Sequence, residues 1–126
     1  MKSPEEINRI TERIIGAAIA VHRALGPGLH ERHYQEAMSI EFEEQGISYV
    51  SPFTVPMLYK SRKIGEYRID FLVEDEVVVE LKSIPLGQPA FDAQILTYLR
   101  VASRKVGLLI NFNTLAVKNG ISRFIL

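Results

Sequence analysis

The order of helical and extended segments predicts a single α/β domain. Three observations carry this. Apolar residues recur at helical spacing over Ile7, Ile10, Ile14, Ala17, Ala18 and Val21. Tyr67, Ile69, Phe71 and Val73 alternate as a strand with one buried face does. Val77-Val78-Val79 and the run from Val106 to Phe112 are continuously apolar, as in strands covered on both faces. These segments mix along 126 residues with no linker, internal repeat or low-complexity stretch, so residues 1–126 read as one domain around one core.

Each element has its own signal. Ser3-Pro4-Glu5-Glu6 starts a helix: Ser3 caps it, Pro4 suits the first turn, and Glu6 closes a capping box. The helix should stop at Leu25, before Gly26-Pro27-Gly28. A second helix is predicted from about Leu29 or His30 to Gln45, with Gly46 as its stop. Ile47 to Tyr59, with its β-branched residues and two prolines, reads as an extended lead-in and a first strand from about Thr54 to Lys60. Ser61-Arg62-Lys63 is the expected turn, Ile64 to Glu74 the second strand, and Val77 to Ser83 a central third one. Leu86-Gly87-Gln88-Pro89 reads as a loop, and Ala90 to Ser103 as a third helix with Phe91, Ile95, Tyr98, Leu99 and Ala102 inward. A buried strand follows, then a turn at Lys118-Asn119-Gly120 and a short apolar end able to pair at a sheet edge.

Composition narrows the function classes. The chain is 47% hydrophobic and 24% charged, which is globular rather than disordered material. It has no cysteine, so disulfides and thiolate metal sites are excluded and a reducing cytoplasm fits. No apolar run approaches the ~20 residues that span a bilayer, and the acidic N-terminus lacks a signal-peptide core, so a cytoplasmic, soluble protein is expected. The formal net charge is zero, which argues against tight non-specific nucleic-acid binding. Lys60, Arg62 and Lys63, like Arg100, Arg104 and Lys105, read as solvated loop ends.

Asp70, Glu80 and Lys82 depart from this pattern. A buried strand that ends in Glu80-Leu81-Lys82 puts two charges on one face, where a lone charge costs several kcal/mol. Asp70, on the preceding strand, can meet them across a hairpin. Two carboxylates at adjacent strand ends suit Mg²⁺, a hard cation that takes oxygen ligands and keeps several waters. A neighbouring lysine can orient the attacking water and balance phosphoryl charge. An ordinary cross-strand salt bridge fits the spacing equally well. His30 and His33 flank Glu31, but their spacing is not that of His-Glu-x-x-His, so no zinc site is read there.

Three motifs extend the reading. Asp70, nine residues, then Glu80-x-Lys82 resembles the motif of the PD-(D/E)XK nuclease superfamily, with Ile69 in place of its proline. Gly28-x-x-Glu31-x-x-Tyr34 is similar to the signature of the GxxExxY proteins, a branch of that superfamily. Gln94-x-x-x-Tyr98, after the Glu-x-Lys strand, resembles the pattern of RecB-type nucleases. The resemblance implies a restriction-endonuclease-like fold, a central mixed β-sheet flanked by helices. It also implies a metal-dependent nuclease, with DNA the expected substrate. Asp70 and Glu80, helped by the Leu81 carbonyl, would hold Mg²⁺ or Mn²⁺. Glu31 would complete the acidic cluster, directly or through water, and Lys82 would position the attacking water. Gln94, Tyr98 and Tyr34 would meet substrate. Glu31 also suits a helix N-terminus for its charge alone, and Tyr34 and Tyr98 also fit the core. A non-catalytic module that binds nucleic acid or protein is the competing expectation. A homodimer through the Ile121–Leu126 edge, or a protein partner, is a further one.

Overall fold

The computed structural model describes residues 2–85 and 89–126. The first helix, α1, spans Pro4–Leu25, and its capping box is formed: Glu6 N–H donates to Ser3 Oγ at 3.2 Å and Ser3 N–H to Glu6 Oε1 at 3.0 Å. It ends where Gly26 takes a positive φ of 72°, a conformation that favours glycine. Helix α2 spans Glu31–Glu44, and His30 caps it by accepting from Arg32 N–H through Nδ1. Both helices lie where their end signals put them.

The strands are β1 (Tyr49–Val50), β2 (Phe53–Tyr59), β3 (Arg62–Ile69), β4 (Phe71–Val73), β5 (Val77–Lys82), β6 (Val106–Asn111) and β7 (Ile121–Ile125). Helix α3 spans Pro89–Ala102, and a 3₁₀ turn covers Val117–Gly120. Five strands form a mixed sheet in the order β1-β4-β5-β6-β7. Only β5 and β6 run parallel, joined by α3 as a crossover; the other neighbours are antiparallel. Strands β2 and β3 form a separate hairpin. β5 is the middle strand, which explains its unbroken run of buried residues.

The sheet separates two packed layers. On one face Phe71, Val73, Val77, Val79 and Leu81 pack with α1 and α2. On the other, Leu72 and Val78 pack with Ile95, Leu99 and Ala102 of α3, and with Phe53, Val55 and Tyr67 of the hairpin. Side chains alternate along a strand, so Glu80 and Lys82 follow Val78 onto the α3 face.

Two expectations about the strands change. The turn after β2 is centred on Lys60 and Ser61, both at positive φ, one position before the expected one. The single strand expected from Ile64 to Glu74 is two strands, broken at Asp70. Ile69 pairs with Phe53 in the hairpin, whereas Phe71 pairs with Val79 in the main sheet. The chain therefore crosses from one sheet to the other at Asp70. The expected loop residues Leu86-Gly87-Gln88 lie outside the described residues, and Pro89 already belongs to α3.

Candidate active site

The break at Asp70 creates the site. Strand pairing stops at Phe71 and Val79, and side chains take over the next rung. Asp70 N–H donates to Glu80 Oε1 at 2.7 Å, and Leu81 N–H donates to Asp70 Oδ2 at 2.8 Å. Each carboxylate thus binds backbone on the opposing strand, and the two acids are locked side by side. Glu80 is only 4% exposed. Asp70 is half-buried.

This arrangement is electrostatically unfavourable for two ionised acids. Burial, then the charge of Asp70, raises the Glu80 pKa to about 8. Burial likewise pushes Asp70 up, against the Leu81 hydrogen bond and the Lys82 charge, which pull it down. Lys82, half-buried at the end of β5, lowers both. The two acids titrate as a pair. Excess negative charge on hard oxygen donors suits a divalent cation, which favours both carboxylates in their ionised form.

Glu31 lies in the first turn of α2, and its charge raises both Asp70 and Glu80. Among the described residues no group of three acidic, histidine or cysteine side chains is placed to hold an ion. What the structure shows of Glu31 is a source of negative potential at the acid pair. The loop leading to Glu31 is tied down elsewhere, through Ser83 Oγ, which donates to the Leu29 carbonyl just past β5.

Tyr34 lies in the core, the second of the two places expected for it. Its side chain is fully buried, stacked on Phe112 with centroids 4.3 Å apart. Its hydroxyl donates to the Gly26 carbonyl and accepts from Leu29 N–H. It offers no surface to a substrate; it shapes the Gly26–Leu29 loop that presents Glu31. Tyr34→Phe leaves a carbonyl and an amide without their partner, and is expected to cost about 1–3 kcal/mol in urea denaturation.

Tyr98 is brought to the pair from α3. Burial, then the charges of Glu80 and Asp70, raise its hydroxyl pKa, and its ring is T-shaped with Tyr67, centroids 6.3 Å apart. Gln94 lies one turn earlier, half-buried, and its side chain has no hydrogen bond among the described residues. Of the three histidines, His22 is structural: it is buried, hydrogen-bonded to the Thr114 carbonyl and stacked near Phe112.

Two positioning residues were missed in the sequence. Arg68 lowers the Asp70 pKa from the end of β3. It opens the same Arg-x-Asp run, which was the available signal. Asn111, opposite Lys82 in the parallel ladder, donates to the Ile84 carbonyl at 2.9 Å and accepts from Ile84 N–H at 3.3 Å. It fixes the chain as it leaves Lys82. No sequence pattern singled it out.

No curated protein and no solved structure matches the chain significantly. The profile of the PD-(D/E)XK nuclease superfamily matches residues 8–124, which takes in Asp70, Glu80, Lys82, strands β1 to β6 and β7 up to Phe124. The mixed sheet flanked by helices, with its acid pair and lysine at the end of the central strand, agrees with that match, and the chain belongs to the PD-(D/E)XK nuclease superfamily.

Proposed function

We propose that the protein is a metal-dependent nuclease that hydrolyses phosphodiester bonds, with DNA as substrate, and that it sits in the GxxExxY, RecB-like part of the superfamily. One observation supports this most strongly: Asp70 and Glu80 are held side by side by each other's strand, both with raised pKa, and with Lys82 beside them. Buried acids that repel one another are unfavourable for folding alone, and such groups concentrate at functional sites.

Asp70, Glu80 and the Leu81 carbonyl would hold Mg²⁺ or Mn²⁺. A divalent cation there supplies Lewis-acid charge to a phosphoryl oxygen. Lys82 orients the attacking water and offsets the charge that develops on phosphate. Glu31 adds negative potential that strengthens cation affinity. Tyr98 and Gln94 line the α3 wall against which substrate rests. The open edge of β7, with Ile125 and Leu126 exposed, is where a second copy of the chain would pair.

Cleavage of single- and double-stranded DNA and RNA with Mg²⁺ or Mn²⁺ tests the reading. Wild type is expected to cut at least one substrate, and Asp70→Asn to lose about 10²-fold or more. A wild type that cuts nothing across that panel, yet binds nucleic acid or protein, supports the non-catalytic module. Zero net charge is the observation that favours that second reading.

A further inference from the structure

The hairpin formed by β2 and β3 has two unlike halves. Its base is packed: Phe53, Val55, Tyr67 and Ile69 join the core beside α3. Its outer half is not. Leu58, Tyr59 and Ile64 are 61%, 63% and 65% exposed, although apolar side chains gain by burial. A bulge between Met57 and Leu58 marks the start of that outer half.

Charge divides the same way. The segment from Phe53 to Ile69 holds Lys60, Arg62, Lys63 and Arg68 against a single acid, Glu66, in a chain whose net charge is zero. The remainder of the chain is therefore net acidic. Lys63 is paired with Glu66 at 2.8 Å. Lys60 lies over the Tyr59 ring at 5.6 Å from its centroid. Arg62 is exposed, and its side chain has no hydrogen bond or ion pair among the described residues. Arg68 stands at the other end of β3, two residues before Asp70. Cationic side chains thus stand at the tip and at the acid-pair end of the hairpin, with the Lys63–Glu66 pair between them.

From these observations we infer that the β2–β3 hairpin is an arm that lies along a nucleic-acid duplex, with Arg62 and Lys60 on its phosphates and Arg68 on the strand nearest the acid pair. The inference deepens the nuclease reading and rests on it. The dimensions agree. Eight residues of β3 at about 3.3 Å each reach roughly 26 Å, which is about seven or eight base pairs at 3.4 Å per step. A two-stranded ribbon also has the width that a major groove admits. This changes the reading of Lys60, Arg62 and Lys63 as a solvated loop end.

Fluorescence anisotropy with a labelled 20-base-pair duplex, with no divalent ion added, tests it across a salt series. In the Lys60→Ala/Arg62→Ala double variant of the full chain, duplex affinity is expected to fall about tenfold. The slope of log affinity against log salt is expected to shrink by about 2, since each lost phosphate contact removes about 0.9. Hydrolysis of a nitrophenyl ester of thymidine phosphate, too small to reach the tip, should be unchanged. The Lys60→Gln/Arg62→Gln pair keeps the side-chain stems and serves where the alanine pair unfolds the hairpin. A wild type that binds or cuts duplex, beside variants with unchanged affinity and slope, overturns the arm and leaves the nuclease reading standing. The same holds if light scattering shows that the variants lose only self-association, or if only single-strand binding falls. A wild type that neither binds nor cuts any nucleic acid overturns both.

Discussion

Lys82→Ala is expected to lower nucleic-acid cleavage by about 10²- to 10³-fold, with little change in substrate affinity or folding. Lys82 terminates β5, two residues after Glu80 and on the same face, so its cation lies beside both acids. Its charge opposes proton binding at Asp70 and at Glu80, whereas Arg68 opposes it at Asp70. Two signatures separate this from a structural role. First, the loss should fall on kcat rather than KM, because the lysine acts on water and developing charge. Second, removing the cation raises the proton affinity of the pair, so the residual activity should need a higher pH than wild type. Lys82→Arg should rescue the pH profile better than the rate, since a guanidinium keeps the charge but not the point donor. A Lys82→Ala protein that cleaves at the wild-type rate removes the lysine from the mechanism.

The second large effect is on stability. Glu80 titrates at about 8 in the folded protein, above its ordinary value of 4.5. Between those values the folded state binds more protons than the unfolded one. Stability from this group is therefore fully present below about pH 4.5 and is lost as pH rises through about 8. Asp70 is shifted the same way and adds to the loss. Glu80→Gln keeps an oxygen to accept from Asp70 N–H and abolishes the titration. With chelator present, the variant should melt within about 2 °C of wild type near pH 4.5, and at least about 5 °C higher at pH 9. Thermal melts across that range decide it. A wild type whose stability rises from pH 5 to 9 relative to Glu80→Gln would show that the carboxylate is favourably ionised.

Much of this fold can be read from local sequence. Ser3, Pro4 and Glu6 set the start of α1, and Gly26 its end, because caps act within a few residues. The apolar runs marked β5 and β6 as covered on both faces. The break at Asp70 could not be read this way. Tyr67 to Val73 keeps its alternation through the break, while the partner strand changes from β2 to β5. Register with a distant strand decides that, and local pattern carries no record of it. The site shows the same division. Asp70, Glu80 and Lys82 stood out because charges at the end of a buried strand are costly. Tyr34 fits the core by spacing, but its hydroxyl partners, Gly26 and Leu29, are backbone atoms of a loop whose path no spacing gives. Arg68 and Asn111 acquire their roles from the crossing at Asp70 and from the parallel pairing with β6.

The pairing of Asp70 with Glu80 is the centre of the account, and calorimetric titration of Mn²⁺ into the chelator-treated protein at pH 7.5 addresses it most directly. Wild type should bind one ion per chain at this site and release protons as it does so, because the acids hold protons that the cation displaces. Asp70→Asn and Glu80→Gln should each lose that binding, whereas Glu31→Gln should weaken it without abolishing it. A wild type that binds no Mn²⁺, or binding that survives both Asp70→Asn and Glu80→Gln, would contradict the assignment of this pair as the metal-holding centre of a nuclease.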